Sequence, residues 1–367
     1  MKKVIISIVS FLFIFFISGC SQVAQLNDRL IVQGIGIDYE ENEYEVTLQV
    51  LNVKSKDDKS SDTPKEVELI KNSGRTVMEA ISNIKEKSGK EPLFSQTLVV
   101  IMGSDAAKKG LNNFMDFFTR HYEFSPLVEV LISQEKAADI LSLEKNEDVI
   151  TAENILAISN LSSNKNRGLN SNIGNLVSDF KNEYLQAKAL YINIVEKADR
   201  KELSIEKLAI FKEDKLFYVL DDEMTKGFLL IKSRTRGISD VVYNEDLSPI
   251  TYSIVQSDNK IKMTQKGDIL EIYLPINVEV KILETDKNIS SDNYDDIKSL
   301  IKSKFENMVI NVIEKTIIED EIDIFGFSSL YLRRNLTFKN KSVNEVKKAL
   351  KNAHFNIDIK VSIESEK

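Results

Sequence analysis

Leu30-Ile31-Val32-Gln33-Gly34-Ile35-Gly36-Ile37-Asp38 reads as a strand, Tyr39-Glu40-Glu41-Asn42 as a turn, and the run that follows alternates cleanly. Tyr44, Val46, Leu48 and Val50 fall on one face; Glu43, Glu45, Thr47 and Gln49 fall on the other. Successive side chains on a strand point to opposite faces, so this second run is a half-buried strand and the pair is a hairpin. Gly34 and Gly36 do not form a phosphate-binding fingerprint, because no third glycine follows and no helix starts there. They mark a bulge or a close approach of backbone.

Outward from the hairpin, strand and helix patterns alternate. Thr76-Val77-Met78-Glu79 is a capping box, after which Val77, Ala80, Ile81 and Ile84 line one helical face. Thr97 to Met102 is a short apolar strand. Ser104-Asp105 caps a helix expected to run through Leu111, Phe114, Met115 and Phe118. Leu127 to Ile132 reads as a strand, and Ser133 starts a helix through Leu141. Thr151 to Leu161 is helical, Ser162 to Asn172 a polar loop, and a short helix ends near Phe180 before the strand Ala187 to Val195. This order implies layered α/β structure with mixed strand directions. The charged stretch Lys197 to Lys201 is the expected main boundary.

The second half opens with strands at Leu208–Phe211 and Leu216–Leu220, then a short helix or strand from Met224 to Lys232. Strand patterns dominate from Val241 to Leu283, with a turn at Gly267-Asp268. Tyr294, Ile297, Leu300, Ile301, Phe305, Met308, Val309, Val312 and Ile313 then make the longest apolar helical stripe. Val343 to Ala353 is a last helix, and Phe355 to Ile363 a last strand. The fold class is α+β: several domains, with mixed β-sheets packed against helices. An N-terminal α/β domain is expected over 30–200 and a C-terminal α/β region over 201–367, open to division into two subdomains.

The first twenty residues carry a different signal. Met1-Lys2-Lys3 is a short positive segment, Val4 to Ile17 is apolar apart from Ser7 and Ser10, and Ile17-Ser18-Gly19-Cys20 follows. A positive start, a short apolar core and small residues before a cleavage point make a secretory signal. Crossing the hydrocarbon takes about 20 apolar residues, more than this run offers. Cys20 is the only cysteine in the chain. Its placement resembles the lipobox of bacterial lipoproteins, in which the thiol receives a diacylglyceryl group. Residues 1–19 are then the signal peptide and 20–29 a lipidated tether. Cys20 is the expected lipidation site, on the outer face of the cell membrane.

Composition narrows the functions further. With 42% hydrophobic and 29% charged residues the chain is a folded one. A net charge of −8 without a basic cluster interleaved with aromatics argues against nucleic acid and against electrostatic docking to anionic lipid. Only two histidines occur, His121 and His354. They are far apart, and with no spare thiol they make no usual metal spacing and no nucleophile–base pair. The carboxylates Glu319-Asp320-Glu321-Ile322-Asp323 lack the spacing and central glycine of a calcium loop and read as a solvated turn. Asp292, Asp295 and Asp296 read as negative charge at a helix N-terminus. No catalytic, cofactor or metal site is nominated.

The ordered motifs resemble the Ger(x)C family, the C subunits of spore germinant receptors. Gly34-Ile35-Gly36-Ile37-Asp38 with Tyr44-Glu45-Val46-Thr47 resembles its opening. Ser73-Gly74-Arg75-Thr76 with Glu79-Ala80, then Ala106, Gly110-Leu111 and Arg120, follow in order. Ala209-Ile210-Phe211 with Asp214-Lys215, and Asp323-Ile324-Phe325-Gly326-Phe327, resemble two later segments. Departures are Ser21-Gln22 after the cysteine, Ser95-Gln96 where a histidine is frequent, and the missing tryptophans. The resemblance implies a divergent member: a non-enzymatic lipoprotein of three mixed α/β domains, anchored on the outer face of the spore inner membrane, assembled with A and B membrane subunits and needed for germination. The alternative is a solute-binding lipoprotein delivering a small ligand to a membrane transporter, which calls for two similar lobes. A surface hydrolase is disfavoured by the scarcity of histidine and thiol.

Overall fold

The computed structural model describes residues 29–51, 67–120, 123–143, 150–167, 171–197, 200–232, 234–244, 246, 248–267, 269–285, 294–334 and 342–364. The opening hairpin is β1 (Arg29–Glu40) and β2 (Glu43–Leu51), in antiparallel register with Ile37 opposite Val46. β3 (Val67–Gly74), α1 (Val77–Ser88) and β4 (Glu91–Leu93) follow, then β5 (Val99–Gly103) after a short 3-10 turn. Next come α2 (Ser104–Lys109), α3 (Asn112–Arg120), β6 (Glu129–Ser133), α4 (Ala137–Leu141), α5 (Thr151–Lys165), β7 (Asn166–Arg167) and α6 (Ile173–Phe180). β8 (Lys188–Lys197), β9 (Arg200–Lys212) and β10 (Lys215–Leu220) complete the first sheet.

Among the described residues that sheet has nine strands, in the order β10-β9-β8-β6-β5-β1-β2-β3 with β4 also paired to β1. β1, β5, β6 and β8 run parallel at its centre, and antiparallel pairs flank them. Strands buried on both faces read as continuous apolar runs. Val99, Val100, Ile101 and Met102 are accordingly all buried. The expected boundary at residue 200 falls where β8 and β9 pair as a hairpin, so this sheet runs on through Leu220.

After α7 (Asp222–Lys232) and β11 (Arg234–Thr235), which pairs with β7, a second sheet forms. Its strands are β12 (Ser239–Tyr243), β13 (Pro249–Asn259), β14 (Lys262–Lys266) and β15 (Ile269–Thr285). α8 (Tyr294–Ile313) continues into a π-helical turn over Glu314–Glu319. α9 (Phe327–Arg334), α10 (Val343–Lys351) and β16 (His354–Ile363) close the chain, β16 lying parallel to β15. Met224–Lys232, left open between helix and strand by its pattern, is helical. Among the described residues no helix is long and apolar enough to cross a membrane.

At one junction the structure departs from local pattern, and at another it agrees. The expected long helix from Ser104 breaks at Gly110, whose φ of +131° lies outside helical geometry. The Leu111 N–H donates instead to the Asp214 carbonyl at 2.6 Å. The glycines of β1 serve as read: the register shifts between Val32 and Gly34, and a Cβ at Gly34 would stand 2.9 Å from Leu141 Cδ2. α4 therefore lies directly on the strand.

The nine-stranded sheet has two apolar faces. One carries Leu30, Val32, Ile35, Val46 and Leu48 under α1, α2 and α3. The other, with Val99, Ile101, Leu131, Leu190 and Ile192, joins the inner face of the second sheet and α7 and α8 in one continuous core. α7 and α8 cross so closely that a Cβ at Gly227 would stand 2.2 Å from the Met308 carbonyl oxygen. Helix backbone cannot yield as a flexible side chain does, and overpacking costs roughly 1–3 kcal/mol. Gly227→Ala is expected to lie at the upper end of that range, read as a lowered urea midpoint with an unchanged far-ultraviolet spectrum.

Candidate functional site

Open sheets with parallel strands bind ligands outside the carboxyl ends of those strands. Here β1, β5 and β6 end at a cleft of about 560 Å³, lined by Tyr39, Glu40, Ser104, Glu135, Lys136 and Tyr191 among others. The first turn of α4, whose backbone N–H groups have no partner within the helix, lies beside it. Those groups are already occupied: the Ala137 N–H donates to Asp38 Oδ1 at 2.8 Å and the Ala138 N–H to Oδ2 at 3.1 Å. A helix N-terminus is a ready anion site, and the chain fills this one with its own carboxylate. Gly103 makes room, since a Cβ there would clash with Asp38 Oδ1. Burial raises the Asp38 pKa, and the two backbone donors oppose it.

Around the rim the charges are paired. Lys136 Nζ lies 2.6 Å from Glu40 Oε2 and Lys108 Nζ 3.0 Å from Asp105 Oδ1. Lys109 Nζ sits 4.9 Å above the Tyr39 ring. Among the described residues there is no group of three metal-ligating side chains. The geometry makes this cleft a junction held by charge pairs and a capped helix.

Further motif residues act as similar locks. Thr76 Oγ1 accepts the Glu79 N–H at 3.1 Å, and Glu79 reaches back to the Arg75 N–H at 2.7 Å. A Cβ at Gly74 would stand 2.5 Å from Ala80 N, so only glycine admits this turn. Asp214 Oδ2 accepts from Asn112 Nδ2 at 2.6 Å beside Gly110, joining two motifs about a hundred residues apart in sequence. Asp323 is buried, and its carboxylate accepts the N–H groups of Phe325, Gly326, Phe327 and Ser328 at 3.0, 2.8, 3.2 and 2.7 Å. It caps α9.

Asp323 therefore corrects the reading of residues 319–323 as a solvated turn. Glu319 and Glu321 fit that reading, paired with Lys315 at 3.1 Å and Lys351 at 2.5 Å. Asp323 does not, because burial without those four donors would be prohibitive for a carboxylate. Asp295 and Asp296 stand in the first turn of α8, while Asp292 lies outside the described residues. His354 opens β16 and is exposed. His121 and the expected lipidation site Cys20 lie outside the described residues.

One buried carboxylate was not foreseen. Glu129, 8% exposed, begins β6 and takes the Ser159 hydroxyl on Oε1 at 2.8 Å. Burial pushes its pKa up from 4.5 to about 7, against the lowering effect of Ser159 and the Ser171 backbone. A single Glu in a strand pattern gives no sign of this, since the partner serines follow 30 and more residues later.

With this geometry in hand the relatives are informative. The family described as "Spore germination protein N-terminal domain" matches residues 22–196, and "Spore germination B3/GerAC like, C-terminal" matches residues 206–366. The Bacillus subtilis (strain 168) protein YfkR, whose name assigns it provisionally to spore germination, is 22% identical over 374 residues, covering 99% of this chain and 97% of its own. The crystal structure of the GerBC protein shares the fold, with a TM-score of 0.60 at 17% identity over 90% of this chain and 97% of that one. The chain belongs to the Ger(x)C family of spore germination proteins.

Glu129 links stability to pH. Its folded pKa of about 7 exceeds its ordinary 4.5, so between those values the folded protein holds a proton that the unfolded chain has released. Stability should fall as pH rises through this window, by about 3 kcal/mol at most, since one pKa unit corresponds to about 1.4 kcal/mol. Glu129→Gln keeps an acceptor for Ser159 and removes the ionisation. Urea midpoints at about pH 5 and pH 7 should differ less for the variant than for the native chain.

Proposed function

We propose that this chain is the lipid-anchored C subunit of a nutrient germinant receptor. It is tethered through Cys20 to the outer face of the spore inner membrane and assembles with the A and B membrane subunits. The observation that carries the reading is the pair of family matches following one another across the chain, behind a signal that ends at its lone cysteine. Its part in the receptor is non-enzymatic. The cleft chemistry supports that view: charges there are spent on internal pairs and on capping α4, rather than held ready for a substrate. Delivery of a solute by two similar lobes finds no support, because the two main sheets differ in strand number and order.

Anchoring follows from the lipid. Each buried methylene contributes about 0.8 kcal/mol, so one chain holds marginally and a diacylglyceryl group holds firmly. Cys20→Ala is expected to abolish incorporation of radiolabelled palmitate, move the protein out of the membrane fraction and slow nutrient-triggered germination. Palmitate labelling that survives the substitution, or intact-mass analysis finding an unmodified N-terminus in native material, would overturn the anchor. Co-purification from solubilised spore membranes tests assembly: recovery of the chain without multi-pass partners would count against it.

A further inference from the structure

The anchor and the fold together select one end of the molecule. Nine peptide units separate Cys20 from Arg29, the first residue of β1, and they reach at most about 30 Å. On the reading that Cys20 is lipidated, the end of the nine-stranded sheet where β1 begins therefore stays close to the bilayer. At that end, among the described residues, stands the most exposed large apolar side chain, Leu127, 76% exposed. The chain order places it there: Leu98 N–H bonds the Gln33 carbonyl of β1, and Glu129 N–H bonds Leu98, so the turn before β6 lies two strands from the start of β1. On the other side of β1, Ile31 pairs with Leu51 and Leu51 with Val67, which is 37% exposed.

A lone exposed leucine is ordinary on a protein surface. This one is held out by a rigid turn. The Val128 N–H donates to the Ser125 carbonyl at 3.2 Å, the Leu127 N–H to Ser125 Oγ at 3.2 Å, and the Gly174 N–H to the Pro126 carbonyl at 2.9 Å. Phe124, just before it, stacks on Phe94 at 4.8 Å, which fixes the turn against the segment beside β4. The turn is thus braced from two sides while its leucine faces outward. Of the carboxylates nearby, Glu91 is paired with Lys85 at 2.9 Å.

We propose that the turn Ser125–Leu127 is a second, apolar membrane contact, with Leu127 entering the interface of the bilayer and setting the orientation of the anchored domain. One leucine would not bind a free protein to lipid. A short tether makes the encounter intramolecular at millimolar effective concentration, and a weak contact then suffices. The acidic net charge is compatible, because the contact is apolar.

The test uses the full acylated chain in vesicles of phosphatidylethanolamine and phosphatidylglycerol. Leu127→Cys carries the one free thiol, since acylation blocks Cys20, and accepts an environment-sensitive nitrobenzoxadiazole label. Gln134→Cys, exposed beyond the far end of β6, is the control. The expected result is a blue-shifted emission at position 127, quenched by doxyl lipids and protected from iodide, with neither change at 134. Equal iodide quenching at both positions in floating, acylated protein overturns this contact and leaves the anchor standing. Protein that fails to float and lacks the acyl mass overturns the anchor, and the contact with it. Shielding at 127 that requires co-purified membrane subunits assigns the turn to a protein partner and also overturns the proposal.

Discussion

The second apolar face of the nine-stranded sheet is the constraint from which the rest of the architecture follows. Val99, Ile101, Leu131, Leu190 and Ile192 alternate with residues of the opposite face and are themselves fully or almost fully buried. A face of that kind cannot stand in water, because burying each such side chain is worth roughly 1.5–3 kcal/mol. The α1–α3 layer is committed to the first face, so the cover must come from later in the chain. It comes from α4 and α5, through Ile140, Leu141 and Ile155, and beyond them from α7, α8 and the inner side of the five-stranded sheet, in a single core that includes Phe228, Phe305, Tyr252 and Ile272. The C-terminal region thereby completes the N-terminal one. The two family regions meet between residues 196 and 206 in sequence, yet β9 and β10 return to the first sheet.

Aspartates hold the joints of this arrangement, two of them, Asp38 and Asp323, buried. Asp38 joins β1 to α4, Asp214 joins the β9–β10 turn to α3, and Asp323 builds the bend before α9. Asp38 and Asp323 accept backbone donors that would otherwise be orphaned, and an orphaned buried N–H costs about 1–3 kcal/mol. Removing either of these two would leave two or more donors unmet, so both positions tolerate little. The glycines beside them answer the same need: at 103 and 110 a side chain would occupy the carboxylate's own space.

Much of this was legible in the residues. The hairpin, the α1 cap, the stripe of α8 and the alternation of β16 depend on near neighbours, and local periodicity carries them. What escaped depends on distant partners. Gly110 ends a helix because Asp214 waits there, about a hundred positions later. β3 escaped because it lies at a sheet edge, where Val67, Glu68 and Leu69 are all exposed and no alternation survives. Glu129 is invisible as a buried acid until Ser159 and the backbone of Ser171 are folded over it. The ordered motifs identified the family, but their physical roles appeared only with register.

A scaffold built this way constrains how it can act. Its buried aspartates Asp38 and Asp323 are engaged in backbone caps, and its glycines in contacts that forbid sliding, as at Gly227 on Met308. Packed cores of that kind are rigid and change by discrete rearrangement, not by gradual deformation. A body of this kind can respond as a unit, by displacement of the whole, or by a discrete switch at one joint. Rigid-body displacement needs surfaces and an orientation rather than a pocket. Under the proposed anchoring at Cys20, orientation is set where the chain leaves the membrane, next to the start of β1.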